Sequence, residues 1–449
     1  MTAPEWTRLE NSAIIYPSCR TRKYATVYRM AVTLDAPVDA ALLDQALQSV
    51  MHRFPSFRYS IRRGLFWWFL QKLENDPAVG SFRKLSPIDV KRNGGYMFRL
   101  CCDGSRIMLD VYHALTDGNG ALTFLLSVVA EYLKLSQGVS VEYGKWIYNP
   151  DEEPLAEELE DGFDKFSGTK GSLDEEKKAW HIKGTEELPD VLNSMGVSFS
   201  TEQIIAKSKE LGCTVTELLS AVMLMSFQEV HSKQKGRKSP HIRMEVPVNL
   251  RPIFGCRTLR NFSSYVYLGI DVSNGYLSFE DALREVKYQK RLYMQPGRLT
   301  RRIAANVALE DNLGVRVLPL FIKKPIINLI NYLKGDNYGT YTFSNIGNVE
   351  LPEGVAGHIL DMNFVLGRTR GRSGSCSSVS FGGRMYLNFT RKIVEDDFER
   401  IFTRKMRELG VWVRIEVPSA PLRPSTPQEP SRKRRFSSSK AIPRFLLSF

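Results

Sequence analysis

Apolar residues recur at helical spacing between Asp39 and Arg53, at Leu43, Ala46, Leu47, Val50 and Met51, and Phe54-Pro55 closes the run. The period then shortens. Tyr24 to Leu34 reads as extended, and Leu65 to Lys72 as a strand rich in Trp and Phe. From Arg106 to Tyr112, Ile107, Leu109 and Val111 alternate on one face, and Tyr96 to Cys102 precedes them across Asp103-Gly104, which predicts a hairpin. Ala121 to Leu135 is a strongly apolar helix.

The second half repeats this logic. Thr214-Val215-Thr216-Glu217 fits a capping box, with an apolar helix running on to about Glu229. His241 to Val248 alternates, with Ile242, Met244 and Val246 on one face. Ser278 to Tyr293 and Glu395 to Leu409 are predicted helices, the latter ended by Gly410. Tyr341 to Phe343, Ser377 to Phe381, Met385 to Thr390 and Val411 to Val417 are predicted strands. Intermixed elements in both halves indicate an α/β or α+β class with mixed sheets.

At 449 residues the chain exceeds the usual limit of one core, so two lobes are expected, 1–150 and 196–417. The acidic stretch Asp151 to Asp161, followed by Gly-rich, charged sequence, predicts an exposed, mobile crossover over 151–195. From 418 to 449 Pro, Ser and Arg dominate without periodicity, which predicts a disordered basic tail. That tail carries +6 of the net +13, and no nucleic-acid-binding signature accompanies the charge. Six scattered cysteines without a Cys-x-x-Cys pair, and no apolar leader in Met1 to Glu10, lead us to expect a cytoplasmic protein with reduced thiols. The longest apolar stretch, Val315 to Leu333, is interrupted by Lys323 and Lys324 and is not a convincing membrane span. No phosphate-binding loop, metal-spaced His/Cys set or Gly-x-Ser-x-Gly elbow is present, so no metal or bound cofactor is expected.

The residues that carry chemistry are His113-Ala114-Leu115-Thr116-Asp117-Gly118. Strand parity points His113 inward from the end of Arg106 to Tyr112, as suits a general base kept neutral by burial. Asp117 is placed to cap the next helix or to pair with a cation, and Gly118 supplies permissive backbone.

This His-x-x-x-Asp-Gly string resembles that of the CoA-dependent acyltransferase superfamily, which includes chloramphenicol acetyltransferase and the condensation domains. Val248-Asn249-Leu250-Arg251 with Thr258-Leu259-Arg260-Asn261-Phe262 is similar to a second-lobe segment of condensation domains. Tyr341-Thr342-Phe343-Ser344-Asn345-Ile346-Gly347 is similar to a stretch of wax ester synthases. The whole, over roughly residues 6 to 417, most resembles bacterial alcohol acetyltransferase-like proteins. The resemblance implies two lobes in a V, with the site in the channel between them. It implies His113 as general base, Ser344 as oxyanion donor with Asn345 as the fallback, and Arg251 holding Asp117 by a bidentate bond. It implies acyl-CoA or an acyl carrier protein as donor, a small alcohol or amine as acceptor, and a monomer. Tyr112 stands where many condensation domains have a second histidine, and the BAHD Asp-Phe-Gly-Trp-Gly motif is absent. The alternative reading is a non-catalytic scaffold or carrier-binding module that kept this fold.

Overall fold

Val27–Leu34 and Arg106–Tyr112 pair antiparallel, and with Phe98–Asp103 they form the centre of a five-stranded sheet. Gly104, at φ +57°, makes the turn of the expected hairpin. Every residue of Arg106–Tyr112 after Arg106 is buried, so both faces of this strand are covered and not only the alternating one. The computed structural model describes residues 4–416 except 22–23, 25, 168–170, 172–175, 189–190, 237 and 312–316. The expected basic tail lies outside the described residues.

Two helices cover the first sheet. Ala40–Met51 begins at Asp39, whose carboxylate accepts from the amides of Ala41 and Leu42. Gly118–Gln137 packs against it and buries nearly all its length to Leu133. Their shared core holds a stack of Phe57 on Phe124, ring centroids 4.1 Å apart.

A second, seven-stranded sheet runs in the order Ser263–Asp271, His241–Asn249, Tyr341–Asn348, Gly374–Phe381, Arg384–Arg391, Asn193–Ser200, Arg414–Glu416. Tyr341–Asn348 is parallel to both its neighbours and the other pairings are antiparallel. Met244, Phe343, Cys376 and Leu387 point to a core under Val215–Lys233. That helix opens with the expected capping box of Thr214 and Glu217. The mixed α/β class and the two sheet-centred lobes are thus as the sequence predicts.

Two expectations change. Ile359–Leu366, assigned by sequence to the second lobe, instead pairs antiparallel with Val27–Leu34 and completes the edge of the first sheet. Its inward residues Met362 and Phe364 fill the first core, so the chain crosses back between lobes. The acidic crossover is also not simply exposed. Glu158 is buried and accepts two bonds from Arg53, one of 2.8 Å, in a bidentate pair.

Candidate functional site

His113 leaves the end of its strand with its amide donating to the carbonyl of Thr26, at 3.0 Å. The Tyr16 ring lies over the imidazole, centroids 4.4 Å apart and planes within 20°, and Tyr28 meets it edge-on at 5.2 Å. Tyr28 is itself fixed by donating to the carbonyl of Thr116, at 2.9 Å. The ring is therefore held on a face and an edge.

Its two nitrogens have different surroundings. Nδ1 is 3.2 Å from Oδ1 of Asn261. An amide oxygen can only accept, so Nδ1 carries the proton and Nε2 is left with its lone pair. The Tyr16 hydroxyl is 3.4 Å from Nε2. A stacked ring brings that hydroxyl over the imidazole face, whereas the lone pair lies in the ring plane. Tyr16 clamps the ring and leaves Nε2 able to accept. Burial lowers the imidazole pKa below its ordinary value of 6.5, outweighing the upward pulls of its backbone bond, the Asp117 carboxylate and Asn261.

Asp117 takes both of the roles that its sequence position allowed. Oδ1 caps Gly118–Gln137 by accepting from the amides of Asn119 and Gly120, and Oδ2 accepts from Arg251 at 2.8 Å and from the Phe262 amide at 2.9 Å. The expected bidentate geometry is not present: one Arg251 nitrogen reaches Asp117. The others donate to the carbonyls of Thr258 and Arg260, because the guanidinium also holds its own loop.

That loop templates the His113 turn. Five consecutive residues of the second half each touch the first half or the crossover. Thr258 donates to the carbonyl of Glu160, the Leu259 carbonyl accepts from Thr116, Arg260 pairs with Glu10, Asn261 holds His113, and Phe262 donates to Asp117. Burial pushes the Glu10 carboxyl up to about 7 despite the guanidinium beside it.

The close approach of Leu259 explains a glycine that the motif does not include. A Cβ on Gly120 would overlap both the Leu259 carbonyl and the Thr116 hydroxyl, whereas one on Gly118 would meet Met30 at 3.5 Å, an ordinary contact. Gly118→Ala is accordingly expected to change stability by under about 1 kcal/mol, and Gly120→Ala to cost about 2 kcal/mol or more, read by chemical denaturation. Equal costs would show that the loop does not press on Gly120.

Ser344 and Asn345 separate. Ser344 is half-buried, and its hydroxyl bonds to none of the described residues, His113 included. Two residues on, Ile346 lies against Gly118, so this strand runs to the His113 loop. Asn345 plays a structural part, since its amide nitrogen donates to Thr216 and its oxygen accepts from the Gly347 amide. The sequence alone gives no role to Tyr16, Tyr28 or Asn261. Asn261 stands inside the segment Thr258 to Phe262, but nothing in the residue order pairs it with His113.

No family model matches this sequence. Two uncharacterised proteins of Mycobacterium tuberculosis are each 23% identical to it over 285 residues, 58% of this chain and 61% of theirs. The chain is thus matched over less than two thirds of those relatives' length. Fusarium graminearum TRI101, solved with coenzyme A and deoxynivalenol, aligns over 91% of this chain and 99% of its own, with 11% identity and a TM-score of 0.62. TRI3 trichothecene 15-O-acetyltransferase of Fusarium sporotrichioides aligns over 90% and 94%, with 11% identity and a TM-score of 0.59. The condensation domain of the monacolin K polyketide synthase MokA aligns over 90% and 96%, with 13% identity and a TM-score of 0.56.

Proposed function

We propose that this chain, which has the fold of the CoA-dependent acyltransferases and condensation domains, transfers an acyl group from a pantetheine thioester to a hydroxyl or amine. The carrying observation is the state of His113: Nδ1 tied to Asn261, Nε2 unblocked, and a pKa lowered so that the ring is neutral near pH 7. In this reading Nε2 takes the proton as the acceptor attacks the thioester carbonyl. The C–S bond then breaks, and the imidazolium returns the proton to the departing thiolate. Ser344, with its hydroxyl unengaged among the described residues, is the donor proposed for the tetrahedral oxyanion. A small alcohol is the acceptor class proposed first, with free acyl-CoA as donor. The coenzyme A bound by TRI101 and the acetyltransferase name of TRI3 support that choice.

The test is release of free thiol from a ladder of acyl-CoA chain lengths, with and without a panel of alcohols and amines. Acceptor-dependent release is expected. Its absence across the panel, with the protein folded, would favour the non-catalytic reading.

The electrostatics add a second test. kcat/KM should fall as pH drops through the His113 pKa, with its midpoint below 6.5. Asn261→Asp puts a carboxylate on Nδ1, favours the imidazolium, and should move that midpoint upward. NMR titration of the ring should follow the same direction. A midpoint that Asn261→Asp leaves in place would show that Asn261 does not set the base.

A further inference from the structure

Ten of the 25 large apolar side chains exposed among the described residues fall in two short segments that touch each other. One is the helix Leu320–Ile330 with the residues flanking it, where Phe321 and Leu329 are 61% and 57% exposed. The other is the hairpin tip between Tyr59–Arg63 and Trp68–Lys72, where Leu65 is 65% exposed. The buried side of the helix locks them together. The Leu320 amide donates to the Leu65 carbonyl at 2.7 Å. Lys323 donates to the Phe66 carbonyl at 3.0 Å, and its ammonium sits 3.3 Å from the Trp67 ring centroid. The lysine that interrupts the apolar run in sequence is therefore a staple, and the apolar residues around it face outward.

Within these two segments the charged residues are all basic, and Asp336, just beyond the helical one, is paired with Arg370. No Asp or Glu occurs from Val317 to Gly335 or from Tyr59 to Leu73, whereas Arg62, Arg63, Lys72, Lys324 and Lys334 do, besides the buried Lys323. Arg63 is exposed and Arg62 and Lys324 are partly so. A helix of this length is roughly 16 Å long, against the roughly 30 Å of a bilayer's hydrocarbon core, so it can lie on a membrane but not span one. A second copy of the chain would bring the same cationic rim against itself.

We propose that the Leu320–Ile330 helix and the Leu65-Phe66 hairpin tip form a docking surface for an anionic lipid bilayer, with the apolar side chains inserted at the interface and the rim cations on the headgroups. The surface lies one helix from the site: Asn328 donates to the Ser18 carbonyl at 3.0 Å, in the Ile15–Cys19 helix that carries Tyr16. The proposal does not depend on the acyl-transfer reading, since its test measures binding.

The full chain is mixed with vesicles of equimolar phosphatidylcholine and phosphatidylglycerol, or of phosphatidylcholine alone, and bound protein is separated by flotation. Binding to the anionic vesicles is expected, weakened by salt. The exposed-site double variant Phe321→Ser/Leu329→Ser, checked for an unchanged Tm, is expected to bind at least roughly tenfold more weakly. Failure of the wild type to float would overturn the proposal, as would equal binding to both vesicle types. A double variant that floats like wild type would place binding elsewhere on the chain and overturn it too. Wild-type dimers that the double variant dissolves would assign the patch to a second copy instead.

Discussion

His113→Ala is expected to lower kcat/KM for acyl transfer by roughly 10²- to 10⁴-fold, the usual contribution of a positioned acid–base group. The loss should fall on kcat, with the KM for acyl-CoA little changed, because a proton acceptor stabilises the transition state and not the bound thioester. The ring is also packed, so its removal leaves space between Tyr16 and Tyr28. His113→Gln keeps most of that volume without a titrating nitrogen. Thiol release and Tm measured on both variants separate the two effects. A near-native Tm for His113→Gln, a lower Tm for His113→Ala, and kcat down in both is the expected result. A folded His113→Gln protein with wild-type kcat would remove His113 from the chemistry.

The elements legible in the sequence are those whose signals are local. Asp39 and Thr214 cap the helices that the sequence pattern starts at them, because a cap acts within one turn. Arg106–Tyr112 matches its predicted bounds, since alternation between turn residues marks both ends. Ile359–Leu366 escapes sequence reading because its partner is Val27–Leu34, more than 300 residues earlier, and its alternation is broken by a register shift between Ile359 and Asp361. Glu158 reads as a solvated acid because nothing nearby in sequence announces Arg53. The site divides the same way. His113, Asp117 and Gly118 form one local string, and Arg251 and Ser344 come from resemblance. Tyr16 sits in a five-residue helix, Ile15–Cys19, that contains a proline and has no periodicity to mark it. Its contact with His113 is purely tertiary. The loop 258–262 shows the limit most clearly. Its residue types predict no partners, yet its backbone carbonyl at Leu259 and amide at Phe262 shape the His113 turn as much as its side chains do.

The largest stability effect is expected at Asp117, because its carboxylate is buried and serves four donors: two helix amides, the Phe262 amide and Arg251. Asp117→Ala leaves the mostly buried Arg251 cation with carbonyl partners and no carboxylate, and should cost about 3–5 kcal/mol. Arg251→Ala should cost less, about 1–3 kcal/mol, because Asp117 keeps three amide donors. The double variant should then cost less than the sum, with a coupling of about 0.5–3 kcal/mol in denaturant titrations at equal m. Strict additivity would mean that the pair does not hold the loop. Asp117→Asn sharpens the test. Its remaining oxygen can serve either the helix amides or Arg251 and Phe262, and its NH2 then faces donors on the other side. A nearly isosteric change should therefore lose much of what alanine loses. A stability close to wild type for Asp117→Asn would reduce Asp117 to a helix cap and leave the positioning of His113 to Asn261 and the tyrosines.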